Sequence, residues 1–220
     1  MPADAVPAAT VASPSETTAP KGSQIDSVVA SLRRAGEGGR RVAVIGSARD
    51  VGTTRTAIAL ARAFARRARV VLVDLAFVSP NIDVISNDPS APGVADLVRG
   101  AASFGDIITR DRFSRVHLVA AGEVGDDPAG LMESYMLLSA IDALAQSYDY
   151  LVVDAGAQSD ISIAPIAQIT ARAVLVAGDA AESSVDALRE ELLSAGFADV
   201  SVTTGPPPQL EHAGKRSAAA

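Results

Sequence analysis

Apolar and polar positions along this chain form blocks that predict strands and helices in alternation. Short, nearly continuous apolar runs are typical of strands buried on both faces, and they recur along the chain after residue 40. The predicted strands are residues 42–45, 69–75, 115–120, 150–156, 173–177 and 200–202. Segments with apolar residues three and four positions apart, typical of amphipathic helices, lie between these runs. The alternation predicts an α/β fold with a doubly wound, mostly parallel sheet flanked by helices.

The longest predicted helix covers residues 129–147, where apolar side chains recur at helical spacing. Met132 and Met136 belong to this set, so we expect both thioethers to fill the core. A shorter helical turn is predicted around residues 104–108.

The two ends of the chain differ in composition from the region between them. Residues 1–23 are mostly Ala, Pro, Ser and Thr, which bury too little apolar surface to offset the entropy of ordering. Residues 206–220 begin with three prolines, which end regular structure. We therefore predict a disordered N-terminal arm over 1–23, one folded domain over 24–205 and a disordered tail over 206–220.

Composition and charge argue against several function classes. The chain has no cysteine and only two histidines, which excludes disulfides, thiolate metal sites and histidine clusters. The formal net charge of -7 argues against a general nucleic-acid-binding protein, whose surface is basic. The first residues do not form a signal peptide, and no apolar run approaches the roughly 18 residues of a membrane span. We expect a cytoplasmic protein.

The segment from Gly46 to Thr56 has the layout of a phosphate-binding loop, because small residues join an apolar strand to an Ala- and Leu-rich helix. Such a loop ends in Gly-Lys-Ser/Thr, where the lysine reaches the β- and γ-phosphates and the hydroxyl holds Mg²⁺. Thr53 stands at the lysine position, and the only lysines, Lys21 and Lys215, lie in the predicted disordered ends. The candidate nucleotide-binding residues are Ser47, Arg49, Gly52, Thr53, Thr54 and Arg55.

Two acids close predicted strands at the edge where open α/β sheets hold their ligands. Asp74 ends one strand, and Asp154 ends an apolar strand of the kind whose final carboxylate holds Mg²⁺ or its water. Together with Thr54 they form a predicted Mg²⁺ site that would be used only with a bound nucleotide. The alternative is structural, with the acids capping turns and the Thr54 hydroxyl satisfying free amides at a helix N-terminus.

These motifs, in this order, resemble the MinD/ParA-like P-loop proteins of the SIMIBI type and, among them, the CpsD-like bacterial tyrosine autokinases of exopolysaccharide and capsule biosynthesis. Residues 47–56 resemble the family's Walker A loop, residues 71–81 its Walker A′ segment and residues 148–154 its Walker B strand. Residues 92–97 and 118–122 resemble its intervening landmarks. The resemblance covers nearly the whole predicted domain and implies a P-loop NTPase-like fold.

The departures from this pattern fall on the residues that carry the family's chemistry. Thr53 replaces the loop lysine, Ala48 stands where ParA-type members have a second lysine, and Ala76 replaces the second Walker A′ aspartate. The kinases' C-terminal tyrosine cluster is also missing, because no tyrosine follows Tyr150. The resemblance therefore implies weak binding of ATP or ADP with Mg²⁺ at most, and catalysis through Asp74 only if the protein is an active kinase.

The resemblance further implies a catalytically inactive regulator of exopolysaccharide or capsule biosynthesis or export. Its partner would be a membrane chain-length regulator of the Wzz-like kind, which would hold it at the inner face of the cytoplasmic membrane. Two alternatives stay open, an active ATP-dependent tyrosine autokinase and a ParA/MinD-like positioning ATPase.

The arginines in the first third of the chain offer a surface for that partner. Arg62, Arg66 and Arg69 follow one another at spacings of four and three after the loop, so we expect them on one exposed helical stripe. Such a stripe would suit an acidic cytoplasmic segment of the partner, with binding that weakens as salt rises. The simpler alternative is a solvated helix face.

Overall fold

The structure, a computed structural model, describes residues 22–205. The predicted arm and tail fall outside these residues, except that residues 22 and 23 belong to the first helix. The strands are β1 (Arg41–Gly46), β2 (Val70–Asp74), β3 (Ile108–Arg110), β4 (His117–Val119), β5 (Tyr150–Ala157), β6 (Arg172–Val176) and β7 (Asp199–Thr203). The α-helices are α1 (Gly22–Arg34), α2 (Thr53–Ala65), α3 (Val94–Val98), α4 (Phe104–Ile107), α5 (Pro128–Met132), α6 (Tyr135–Ser147), α7 (Ile163–Ile169) and α8 (Glu182–Ser194).

The strands join one seven-stranded sheet in the order β3-β4-β2-β5-β1-β6-β7. β3 runs antiparallel to β4 at one edge, and the other pairings are parallel. Because parallel strands end at a common edge, the loop after β1, Asp74 at the end of β2 and Asp154 in β5 come together there. The predicted mostly parallel sheet is confirmed.

Helices cover both faces of this sheet. On one face, α1 and α2 pack Leu32, Leu60 and Phe64 against β1, β2 and β5. On the other face, α6 packs Leu137 and Ile141 against the same strands, beside side chains of α7 and α8. Strands covered in this way are buried on both sides, which explains their continuous apolar runs. No helix within residues 22–205 is long and apolar enough to cross a membrane.

The predicted helix over residues 129–147 is two helices, and the expectation for Met136 was wrong. α5 ends at Met132 and α6 begins at Tyr135, because the Ser134 hydroxyl accepts a hydrogen bond from Met136 N and starts a new helix. Met132 is buried as predicted, whereas Met136 is 57% exposed. The break changes the helical phase, so that Met136 faces away from the sheet.

The sequence pattern also missed β3, which has three residues and follows directly on α4. We predicted only a helical turn there, and so short a strand has no period of its own. β3 and β4 form a hairpin that extends the sheet beyond its parallel strands.

This hairpin is tied to α2 by an ion pair. Arg62 Nε and Nη2 donate to the two carboxylate oxygens of Asp111 at 2.7 and 2.8 Å, and the Asp111 side chain is only 1% exposed. Asp111 also accepts from the Ser114 hydroxyl and from Phe113 N. Burial alone would raise the pKa of Asp111, but these donors hold it below its ordinary value.

We predict that Arg62→Ala lowers the free energy of unfolding by about 2 kcal/mol at pH 7, because the buried Asp111 carboxylate loses its cation. The folded pKa of Asp111 is depressed, so its contribution is present above the unfolded pKa of about 3.9 and is lost as the pH falls. Urea denaturation should show the gap between the two proteins closing below about pH 4.

The control for this prediction is Arg66→Ala, which removes an arginine whose side chain is 68% exposed. It should change the free energy of unfolding by less than about 0.5 kcal/mol. Equal stabilities for Arg62→Ala and Arg66→Ala would contradict the role assigned to the Arg62–Asp111 pair.

Candidate functional site

The loop between β1 and α2 turns sharply and is anchored to β6. Ser47 N donates to Val176 O at 2.9 Å, and the Ser47 hydroxyl donates to Ala177 O at 2.8 Å. Asp50 and Gly52 have φ angles of 61° and 90°, in the region that glycine adopts most easily. The loop thereby places the N-terminus of α2, which has no side-chain cap, at the carboxyl edge of the sheet. Free amides at a helix N-terminus favour an anion.

Thr53, at the lysine position, is the first residue of α2 and packs close to Gly46 at the end of β1. Its side chain is buried, and a Cβ added at Gly46 would lie only 2.2 Å from the Thr53 hydroxyl oxygen. The absence of a side chain at position 46 is thus what lets the first turn of α2 approach the strand. A short neutral side chain in this position adds a polar group to the site and no positive charge.

The arginines near the loop do not make the site positive. Arg49 Nε and Nη2 donate to the two oxygens of Asp160 at 2.8 and 2.7 Å. This pairing raises the pKa of Arg49 and lowers the pKa of Asp160. The cavity at the loop has a volume of about 710 Å³, and its charged lining residues are Arg49, Asp50, Arg55 and Asp160. Their formal charges cancel, so the lining gives a nucleoside triphosphate no net attraction.

Asp74 organises the turn that follows β2. Its Oδ1 accepts from Ala76 N at 3.0 Å, and its Oδ2 accepts from Asn81 N at 3.0 Å and from Ile82 N at 3.1 Å. Burial raises the pKa of Asp74, and these three amides oppose that shift. Both carboxylate oxygens have donors, which agrees with the turn-capping alternative.

The carboxylate of Asp154 accepts fewer hydrogen bonds than that of Asp74. It pairs in register with Asp74 on the neighbouring strand and is fully buried. Burial, followed by the charge of Asp74, raises the pKa of Asp154 to about 7, against hydrogen bonds from the Thr54 hydroxyl and Gly156 N. Its Oδ2 is buried and has no hydrogen-bond partner within residues 22–205. Such an oxygen is suited to hold a proton or a cation.

The residues present fit a Mg²⁺ ion that arrives with a nucleotide. Asp154 Oδ2 and the Thr54 hydroxyl are hard oxygen ligands, and Mg²⁺ is usually held by one or two carboxylates together with phosphate oxygens. In the described part of the chain, no group of three or more His, Asp or Glu side chains is arranged to hold a metal. Asp154 and Thr54 would therefore hold the ion jointly with the phosphates.

The structure brings most of the predicted nucleotide-binding residues to one cavity. Those that line it are Arg49, Gly52, Thr53, Thr54 and Arg55. Ser47 instead turns its hydroxyl to Ala177 in the neighbouring chain segment. Sequence reasoning missed Asp160, which neutralises Arg49 from 111 positions away. No local pattern marks a partner at that separation.

The predicted arginine stripe is not formed as expected. Arg62 is held by the buried Asp111, and Arg69 lies beyond the end of α2 at Ala65. The side chains of Arg66 and Arg69 are 68% and 72% exposed. The expectation of an exposed stripe of three arginines along one helix was therefore wrong, although Arg66 and Arg69 do lie at the surface.

Solved structures with this architecture include kinase domains and ATPases. The kinase domain of the Escherichia coli tyrosine kinase ETK matches with a TM-score of 0.76 at 18% identity, over 89% of this chain and 77% of that chain. The VpsO kinase domain matches with a TM-score of 0.72 at 21% identity, over 84% of this chain and 97% of that chain. This chain has the fold of bacterial tyrosine kinase domains.

A more distant match is MinD from Pyrococcus horikoshii, solved with Mg-ADP. Its TM-score is 0.61 at 21% identity, over 77% of this chain and 74% of that chain. Neither a protein-family model nor a curated protein sequence matches this chain. The predicted P-loop NTPase-like fold, with tyrosine kinase and MinD-like neighbours, is confirmed.

We predict that the stability of the protein falls as the pH rises from about 4 to about 7. The folded pKa of Asp154, about 7, lies above the unfolded value of about 3.9, so the folded state keeps a proton that the unfolded state loses in this window. Asp154→Asn keeps the shape without the charge and should raise the free energy of unfolding at pH 8 by roughly 4 kcal/mol.

Urea denaturation across this pH range measures both effects. Asp160→Asn is the control, because Asp160 has a lowered pKa and its loss should leave the decline between pH 4 and pH 7 in place. A decline that persists unchanged in Asp154→Asn would show that Asp154 is not its source.

Proposed function

We propose that this protein is a kinase-like P-loop protein without phosphoryl transfer that regulates exopolysaccharide or capsule biosynthesis or export. The observation that supports inactivity is that the charged residues lining the phosphate site have no net positive charge. Thr53 is neutral, and the guanidinium of Arg49 is paired with Asp160. Phosphoryl transfer depends almost wholly on positioning and on stabilising phosphate charge, so this site lacks the principal element of catalysis.

Other features of the site support weak binding of ATP or ADP with Mg²⁺. The uncapped N-terminus of α2 offers free amides and a partial positive charge to a phosphate. Asp154 Oδ2 is buried without a hydrogen-bond partner within residues 22–205, and the Thr54 hydroxyl lies beside this carboxylate, so the two side chains would be the ligands of a Mg²⁺ ion. A nucleotide held in this way would bridge α2 and β5.

The pathway and the partner rest on the family resemblance. On that basis the partner is a membrane chain-length regulator of the Wzz-like kind, through which the protein is held at the inner face of the membrane. The kinase domains match more closely in fold, at TM-scores of 0.76 and 0.72, than MinD does at 0.61, which favours this pathway over a positioning ATPase. An active autokinase would need a net positive charge at the phosphate site, where the formal charges of Arg49 and Arg55 are offset by those of Asp50 and Asp160.

We predict that Mg²⁺-ATP binds with a dissociation constant above about 100 μM, which corresponds to a binding free energy of only about 5.5 kcal/mol. The missing lysine charge is the reason. Titration calorimetry of the purified chain is the measurement. Sub-micromolar binding would contradict the interpretation that Thr53 weakens nucleotide binding. Where weak binding is seen, Asp154→Ala and Thr54→Ala should each abolish its dependence on Mg²⁺.

We predict that incubation with Mg²⁺-ATP leaves the protein without phosphotyrosine, as judged by intact mass. The chain has no tyrosine cluster after Tyr150, and its phosphate site is electrostatically neutral. In cells lacking the protein, the wild type and Asp154→Ala should restore the polysaccharide phenotype equally. Labelling of Tyr135, Tyr148 or Tyr150, or failure of Asp154→Ala alone, would favour the active-kinase alternative.

A further inference from the structure

A second cavity, of about 700 Å³, opens at the opposite edge of the sheet, where β2 and β4 begin. It lies beside the C-terminal ends of α2 and α6. The 13 residues of α2 separate it from the phosphate loop by about 20 Å. None of the candidate nucleotide residues lines it, so a ligand there would leave the phosphate site free.

The inner wall of this cavity is apolar. Val70 and Leu144 are buried there, Ile108 is half-buried, and Phe104 exposes 39% of its surface. A cavity of this size holds a small molecule or one or two large side chains of a partner. Phe104 is a large apolar side chain that a ligand could cover.

The rim of the cavity is basic. Its arginines are Arg66, Arg67, Arg69 and Arg115, and among residues 22–205 the one carboxylate that lines it is that of Asp149. Asp149 is engaged with Arg69, accepting from its backbone N at 2.8 Å and from its Nη2 at 3.5 Å. Arg66 reaches Asp26 at 3.5 Å.

Two rim arginines are left over after these pairings. Within residues 22–205, no carboxylate forms an ion pair with Arg67 or Arg115. The C-terminal ends of α2 and α6 carry a partial negative charge of about one half each, which is smaller than the charge of these two arginines. Helix capping therefore does not account for the whole rim.

The imidazole of His117 adds no charge to this rim. Its Nδ1 lies 2.6 Å from the Tyr148 hydroxyl, and burial, together with the charge of Arg110, lowers the pKa of His117. The positive charge of the cavity thus comes from its guanidinium groups.

We propose that this cavity binds an acidic peptide segment of a partner protein, with a large apolar side chain on Phe104 and Ile108 and carboxylates against Arg67 and Arg115. A compact anion such as a free phosphate is best held by converging, buried donors. Arg67 and Arg115 are instead exposed and come from two different chain segments beside an apolar floor, which suits carboxylates distributed along an extended segment. The assignment of that segment to the membrane partner rests on the proposed function.

The test uses the purified full chain and a fluorescent peptide of alternating Glu and Ser with one central Phe. Fluorescence anisotropy should show saturable binding that weakens as salt rises. Replacing the peptide's Phe by Ala, or its Glu residues by Gln, should weaken binding at least about fivefold. Arg67→Glu and Arg115→Glu should each weaken binding about fivefold to tenfold.

Two matched variants control for general effects. Arg189→Glu makes the same charge change on α8, away from the cavity, and should bind the peptide like the wild type. Phe104→Ala should weaken binding, whereas Phe113→Ala, which removes a 75% exposed ring that does not line the cavity, should not.

The proposal is overturned if no peptide binds, or if Arg67→Glu and Arg189→Glu weaken binding equally. It is also overturned if phosphatidylglycerol vesicles, and not the peptide, bind in an Arg67-dependent way, since the surface would then be one for membranes. Peptide binding with the expected variant pattern supports the proposed peptide site, whether or not the protein affects polysaccharide production. If it has no such effect, only the assignment of the peptide to a membrane chain-length regulator is wrong.

Discussion

The pairing of β1 between β5 and β6 determines where the candidate residues of the phosphate site lie. β1 is buried on both faces, and its Val44 lies in register with Asp154 on one side and Val174 on the other. β5 in turn places Asp154 beside Asp74 of β2. The phosphate loop and both acids therefore meet at one edge, as the parallel arrangement requires. The opposite edge holds the basic cavity, which α2 separates from the loop.

The electrostatics of the site follow from two buried acids and a loop that meet at this edge without a lysine among them. Asp74 and Asp154 are both buried and lie side by side. Asp154 has fewer hydrogen-bond donors than Asp74, and burial together with the charge of Asp74 raises its pKa to about 7. A lysine at position 53 would supply positive charge close to these acids. Thr53 cannot do so, and Arg49 is already neutralised by Asp160. What stays favourable to an anion is the backbone, through the first amides of α2.

The parts of the structure that depend on local pattern could be predicted from the sequence, and the parts that depend on distant pairs could not. Apolar runs located the strands of the parallel sheet, and the loop and strand-ending acids located the site. The start of α6 was missed because the single Ser134 hydroxyl resets a helix that is apolar on both sides of the break. Arg62 and Asp111 are separated by 49 positions in the sequence, and Arg49 and Asp160 by 111 positions. Nothing in the sequence near either arginine indicates which acid it pairs with.

We propose that the absence of a cation at position 53 weakens nucleotide binding at the phosphate site. The most direct measurement compares Mg²⁺-ATP affinity for the wild type and for Thr53→Lys by titration calorimetry, at fixed salt. If the loop and the candidate Mg²⁺ ligands Thr54 and Asp154 hold a nucleotide as proposed, the lysine ammonium at position 53 should tighten binding at least about tenfold, a change of about 1.4 kcal/mol. Sub-micromolar affinity in the wild type, with no gain in Thr53→Lys, would contradict the proposal that the neutral residue at position 53 weakens nucleotide binding.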